Sequence, residues 1–316
     1  MMKVKGKYGK AIIHADIFDE GTKLQVKTLL DQKFTKGLKV RIMPDCHSGS
    51  GCVIGTTMTI KDKIVPNLVG VDIGCGMLCV KLGKIDLDLA KLDEFIHKYI
   101  PAGQNVNEDI AESDIVLEDL KYFDELKQVN YLKKSIGSLG GGNHFIEVDI
   151  ASNGSKYLII HTGSRNLGCQ VAEIYQQKAI LYHENKIFNK KDMRERVIKE
   201  YKEQGLQKQI QAKLKEIEKM VIELPMPKEL CYLEGQDFDD YMHDMHISQE
   251  YAKANRFEIA KRILSFLGLK LEELFYFETV HNYINMKDKI LRKGAISAYK
   301  DETVLIPINM KDGCIV

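Results

Sequence analysis

Val71-Asp72-Ile73-Gly74-Cys75-Gly76 sets a hard carboxylate and a soft thiol three residues apart on a glycine-punctuated turn. Gly74 and Gly76 carry no Cβ, so the backbone can take φ > 0 and bring both side chains to one point. A thiolate can bridge two divalent ions, and a carboxylate adds oxygen to one of them. One Asp and one Cys are too few ligands, so the remainder is expected from histidines elsewhere. Three later ones sit in polar, glycine-rich settings: His144, His161 and His281.

Toward the C-terminus, the next dense stretch is Gly137-Ser138-Leu139-Gly140-Gly141-Gly142-Asn143-His144-Phe145-Ile146-Glu147-Val148. Three consecutive glycines let a loop approach a ligand closely, but their spacing fits neither a Walker loop nor a dinucleotide fingerprint. Phe145 to Ile150 then alternates as a strand, with His144, Ile146 and Val148 on one face and Phe145, Glu147 and Asp149 on the other. Asn, His and Glu together on a buried strand need partners, so this mixture reads as a site. Tyr157 to His161 is a buried strand ending in a Gly163-Ser164-Arg165 turn, where an Arg beside backbone N–H groups suits a phosphate. A histidine that merely caps its own strand is the simpler reading of His161. Val280-His281-Asn282 breaks another strand-like run, and Arg292-Lys293-Gly294-Ala295 follows.

On the N-terminal side, Thr22 to Leu30 reads as a helix and Leu38 to Ile42 as a strand. Met43 to Cys52 reads as a loop carrying Asp45 and His47, a place where catalytic groups usually lie, although Asp45 also suits ordinary turn capping. Val53 to Ile60 and Leu68 to Val71 are strand-like. Leu87 to Ile96 has a helical apolar face that leaves His97 on the surface. Asn105 to Gln128 reads as solvated helix and loop. From Ala172 to about Glu223 a helical arm is expected, with an apolar seam of Leu206, Ile210, Leu214, Ile217 and Val221. A long helix spans Tyr241 to about Leu267, and His243 and His246 on it lack a nearby third ligand.

The 316 residues, 44% hydrophobic and 29% charged, suit a globular chain with a sizeable core. A net charge of +1 excludes bulk electrostatic attraction to nucleic acid or membrane, so a nucleic-acid partner would need a local basic groove. No apolar run reaches the roughly 18 residues of a membrane span, and Met1 to Lys5 opens no signal peptide. Seven cysteines without zinc-ribbon spacing read as reduced thiols, and the expected location is the cytoplasm. Without internal repeats or low-complexity linkers, residues 1–316 read as one interleaved domain, with ligands drawn from across about two hundred residues.

Asp72, Cys75, His144, His161 and His281 are thus five candidate ligands, enough for two ions sharing the thiolate. Two adjacent ions neutralise phosphoryl charge and orient nucleophile and leaving group. Asn143 and Asn282 adjoin candidate ligands and suit phosphate oxygens, and Arg165 and Lys293 supply further positive charge. The constellation points to phosphoryl or nucleotidyl transfer.

The order of these motifs resembles one family, the RtcB-type RNA ligases. The likeness runs from Met43-Pro44-Asp45-Cys46-His47 through the Asp72–Cys75 turn, the Gly140–Glu147 and His161–Gly168 stretches, His281-Asn282 and Arg292–Ala295 to Ile306-Pro307. It implies a single α+β domain with a central mixed and antiparallel β core, flanking helices and the helical arm. It also implies GTP- and Mn²⁺-dependent joining of RNA 3′-phosphate or 2′,3′-cyclic phosphate ends to 5′-hydroxyl ends. Asp72, Cys75, His144, His161 and His281 match the family's ligands for two Mn²⁺ ions, with Cys75 bridging. Asn143, Phe145, Glu147 and Asn282 match guanylate-site positions, Arg165 and Lys293 match phosphate-holding ones, and Asp45 matches a loop residue near the metals.

This chain departs from the family at Gly74, usually Asn, at Asn166, often Gly, and at Ile306-Pro307-Ile308-Asn309-Met310, usually Ile-Pro-Gly-Ser-Met. These differences suit a shorter subgroup. The family's guanylated nucleophile is a histidine in a His-Gly-Ala-Gly-Arg motif beyond the isoleucine–proline segment, and none of the nine histidines here sits in such a motif. The expectation is a C-terminally incomplete ligase domain; the alternatives are a catalytically dead RNA-end-binding paralogue and a dinuclear phosphoesterase. On the ligase reading, incubation with GTP and Mn²⁺ leaves the intact mass of these 316 residues unchanged. A guanylate adduct in the mass spectrum would contradict it.

Overall fold

Alternating apolar runs separated by glycine turns give the described residues two main sheets and two short two-stranded ones, and one long helix packs against both main sheets. The computed structural model describes residues 2–309 and 311–316. Met1, and Met310 at the end of the isoleucine–proline stretch, lie outside the described residues. In chain order the elements are β1 (Met2–Lys5), β2 (Lys10–Ile13), α1 (Glu20–Leu30), β3 (Val40–His47), β4 (Ile54–Thr59), β5 (Lys63–Ile64), β6 (Gly76–Gly83) and α2 (Leu89–Tyr99). Next come α3 (Val129–Ser135), β7 (Phe145–Ile150), β8 (Lys156–Thr162), α4 (Arg165–Ile187), α5 (Lys190–Glu203), α6 (Ile210–Lys219) and β9 (Leu233–Glu234). The chain closes with α7 (Gln236–Phe266), β10 (Tyr276–Val280), β11 (Asn282–Ile284), β12 (Ile290–Lys293), β13 (Ile306–Asn309) and β14 (Gly313–Ile315).

The larger sheet runs β1-β2-β3-β4-β12-β11 and is mixed, because β2 and β3 pair in parallel while its other neighbours are antiparallel. The second sheet, β10-β6-β8-β7, is antiparallel throughout. This is the expected α+β architecture. Period-two alternation gives the second sheet two apolar faces. Leu78, Val80, Leu158 and Ile160 pack on one side with Ile259, Ile263 and Leu264 of α7. Met77, Cys79 and Ile159 face the other way with Leu305 and, in part, Phe145 and Phe277. The first half of α7, through Tyr241, Met245 and Tyr251, belongs to the core of the larger sheet instead. One helix therefore ties the two sheets together, and its middle lies at their junction.

Most expected elements are present. Strand β7 coincides with the alternating run, β8 with the buried apolar run that reaches His161, and the strand broken at His-Asn is indeed divided, His281 separating β10 from β11. Three local expectations change. Strand β3 continues to His47, so Asp45 sits on the exposed end of a strand rather than in a loop. Pro66–Leu68 forms a single 3₁₀ turn where Leu68 to Val71 reads as strand-like, because Pro66 lacks the ladder donor and pre-sets a helical φ. The helical region begins at Arg165, before Ala172, and divides into α4, α5 and α6; its seam buries Ile217 but leaves Val221 exposed. No helix among the described residues is long and apolar enough to cross a membrane.

Gly74 shows how tightly the turn sits against α7. Its φ is +77°, and a Cβ there would meet Gln249 Cα and the Ala252 Cβ, each at 2.9 Å. Gly83 has a similar φ of +79° but open space around it. Gly74→Ala is expected to cost roughly 1–3 kcal/mol in chemical denaturation, from both strain and overlap, and Gly83→Ala clearly less. Equal losses would mean that the turn does not press on the helix.

Candidate metal centre

Antiparallel pairing alternates strand direction, so the four strands of the second sheet bring unlike ends of their sequences to one edge. At that edge Cys75 immediately precedes β6, His144 immediately precedes β7, His161 is the penultimate residue of β8, and His281 immediately follows β10. The register aligns them, with Met77 and Phe145 opposite His161, and Val280 opposite Gly76. Every strand of this sheet thus presents one candidate ligand at the same end. Asp72 joins them from the turn before β6.

The side chains converge. Cys75 Sγ lies 3.3 Å from His161 Nε2 and 3.6 Å from His144 Nε2. His144 Nε2 is 3.0 Å from Asp72 Oδ2, and His161 Nε2 is 3.4 Å from His281 Nε2. The donors form two compact triads, Asp72–Cys75–His144 and Cys75–His161–His281, which share the sulfur. All five candidate ligands are brought together.

The outer nitrogens settle the tautomers of two of the rings. His144 Nδ1 lies 3.0 Å from the Leu139 carbonyl and His161 Nδ1 lies 3.1 Å from the Asn143 carbonyl, contacts that need Nδ1–H as donor. With Nδ1 as the donor, the neutral His161 ring turns its Nε2 lone pair inward, toward the Cys75 sulfur and His281 Nε2, while His144 Nε2 faces the Asp72 carboxylate. Electron-rich atoms at these distances repel unless a cation or proton lies among them, so the donor set fits divalent ions. Burial, with the charge of neighbouring histidines, pushes His161 down to about 4 and His281 down to about 3, so both are neutral ligands at neutral pH. Burial followed by the Asp72 charge holds the Cys75 thiol well above its ordinary range, so an arriving metal must displace its proton. Burial raises Asp72, but the hydrogen bond and charge of His144 outweigh it and the carboxyl titrates below its usual value.

Glycine makes room at two points. A Cβ on Gly163 would lie 2.0 Å from Asp72 Oδ1, so the carboxylate enters only because that side chain is missing. A Cβ on Gly140 would lie 1.9 Å from Arg165 Nη1, so the triple-glycine loop packs directly on the arginine. Arg165 itself adopts φ +55°, a left-handed conformation costly for a side chain of this size, at the start of α4. Its Nε donates to Ser138 Oγ at 3.0 Å and its Nη2 to Gly103 O at 2.8 Å.

The other expected residues lie at varied distances from this centre. Asn143 is exposed while its carbonyl holds His161. The Phe145 ring stands edge-on to His161, with centroids 5.1 Å apart. Glu147 lies further along the same face and accepts from the Cys314 thiol at 3.5 Å; burial and Asp149 raise its carboxyl. Asn282 Oδ1 accepts from Gly294 N at 2.8 Å, and its carbonyl accepts from Gly74 N at 2.7 Å. Lys293 is buried, donates to Ser50 O at 2.5 Å and Asn67 O at 2.9 Å, and is pushed by burial down to about 8. Asp45 is fully exposed and faces His47 at 3.9 Å, outside both triads. His243 pairs with its neighbour Asp244, and His97 stays on the surface beside Asp93.

Sequence reasoning assigned no role to Asn255. Its side chain is buried on α7, accepts from Gly137 N at 2.8 Å and Ser138 N at 3.1 Å, and donates to Gly163 O at 3.2 Å. It fastens the glycine loop to the His161 turn. The available signal was an amide with apolar Ala252 and Ile259 three and four residues away on a core-facing helix. Ser164 Oγ, buried in the same turn, has no hydrogen-bond partner among the described residues.

The family model described as tRNA-splicing ligase RtcB matches residues 33–125 and 120–316. The chain is 27% identical over 313 residues to the RNA-splicing ligase RtcB of Escherichia coli strain K12, covering 86% of this chain and 67% of that protein. It is 33% identical over 186 residues to the tRNA-splicing ligase RtcB of Methanococcus maripaludis, covering 42% and 39% respectively.

The shared sulfur generates a ranked expectation. In equilibrium dialysis with Mn²⁺, Cys75→Ala loses both ions, whereas His144→Ala and His281→Ala each lose one. Retention of two ions by Cys75→Ala would remove the sulfur from the centre.

Proposed function

The chain belongs to the RtcB family, and from that premise we propose that it is the metal-binding body of an RNA ligase. The reaction is the joining of an RNA 3′-phosphate or 2′,3′-cyclic phosphate end to a 5′-hydroxyl end, with GTP and Mn²⁺, in the cytoplasm. The observation that carries this reading is the pair of donor triads sharing Cys75 Sγ. Asp72, Cys75 and His144 hold one ion, and Cys75, His161 and His281 the other. When bound, two such ions supply charge neutralisation at a phosphoryl group.

The chain's own residues do the rest. Arg165 uses Nε and Nη2 within the fold, which leaves Nη1 and the rest of its fork for a phosphate oxygen. Lys293 commits two donors to carbonyls and keeps a third, so its charge acts from a fixed point. The exposed Asn143 amide offers hydrogen bonds beside the centre, and Asn282 holds the turn after Lys293 against the metal-binding turn. Phe145 and Glu147 present an aromatic edge and a carboxylate on one face, suited to a guanine ring and its N–H groups. Asp45, at the exposed end of β3, is available to an RNA end.

Fluorescence anisotropy with a labelled RNA tests this directly. In Mn²⁺ the chain is expected to bind a 3′-phosphate RNA more tightly than the same RNA ending in a hydroxyl. Arg165→Ala should weaken the former by about tenfold, the loss of one charge-assisted contact. Equal binding of both ends, with or without Mn²⁺, would contradict the proposal.

A further inference from the structure

Arg256 is almost wholly buried in the middle of α7, at 1% exposure. A guanidinium is costly to bury and stays only where its donors find acceptors. Its Nη1 donates to two backbone carbonyls, Gly74 O at 2.8 Å and Thr162 O at 2.9 Å. Its Nε donates to Glu278 Oε1 at 2.8 Å. These acceptors are not scattered. Gly74 immediately precedes Cys75, Thr162 immediately follows His161, and Glu278 stands on β10 just before Val280 and His281. One planar group therefore touches each of the three segments that deliver Cys75, His161 and His281. The other two ligands have their own supports: His144 through Leu139 O, and Asp72 through the space left by Gly163.

We propose that Arg256 is a positioning residue for the Cys75–His161–His281 half of the centre, holding three separate backbones at the spacing that the second ion requires. The inference rests on the two-ion reading of the site. Arginine suits the task because its fork is rigid and directs several donors along fixed lines. Lysine carries the same charge but gathers its donors on one nitrogen, which cannot span two carbonyls and a carboxylate in this geometry. An arginine that served only the core would, when replaced, weaken both ions alike.

Co²⁺ titration followed by the sulfur-to-cobalt absorption band, with dialysis for stoichiometry, separates these cases. Wild type is expected to bind two ions per chain. Arg256→Lys should keep the first within about threefold and weaken the second at least tenfold, with far-ultraviolet circular dichroism unchanged. Glu278→Gln, at a side chain that is only partly buried, removes the carboxylate's charge while leaving an amide oxygen that can still accept from Nε, and should weaken the second ion by a smaller factor. If Arg256→Lys does not fold, Glu278→Gln decides alone. Equal weakening of both ions, or no change in either, overturns the proposal. Failure of wild type to bind two ions would overturn the metal-centre reading itself.

Discussion

Cys75 Sγ is the atom on which the site depends, and the sheet beneath it is the ruler that sets its distances. Neighbouring strands lie about 4.8 Å apart. Ligands at the same end of adjacent strands therefore fall near coordination distance without any special loop. β6, β8 and β7 lie side by side and contribute Cys75, His161 and His144, while β10 on the far side of β6 contributes His281. The sulfur reaches both outer groups because its strand is interior. A ligand on an edge strand would have met only one of them.

Such convergence is unfavourable without metal. Three imidazoles, a thiol and a carboxylate share a poorly hydrated pocket, and burial drives His161 and His281 toward neutrality and Cys75 toward its protonated form. The fold opposes this from outside. Carbonyls of Leu139 and Asn143 fix ring orientation, Asn255 fastens two loops to α7, and Gly74 presses into the same helix. A site assembled this way is preorganised: on the proposed reading ions would meet ligands already in place, and whatever binds only the native chain stabilises it.

The parts of this plan that are local were legible in the sequence. Period-two alternation announced β7, a buried apolar run ending in His161 announced β8, and glycine beside Asp, Cys and His marked the turns that carry the candidate ligands. The His-Asn break in a strand-like run marked the crossing between sheets. What escaped was support that comes from far along the chain. Nothing near Gly137 or Gly163 announces that Asn255 will hold both, because the pairing exists only once α7 lies across the sheet ends. Lys293 reads from sequence as a phosphate holder, and its contacts with Ser50 and Asn67 arise from the junction of β12 with distant loops. The strand assignment near Leu68 failed for a local reason, since apolar content alone cannot tell a strand from a 3₁₀ turn opened by proline.

The proposed chemistry requires two ions that share that sulfur. Crystals soaked in Mn²⁺ and measured for anomalous scattering test that requirement directly. Two peaks about 3.5–4 Å apart are expected, both within bonding distance of Cys75 Sγ, one beside Asp72 and His144 and the other beside His161 and His281. A single peak, or two peaks that leave the sulfur unligated, would contradict it.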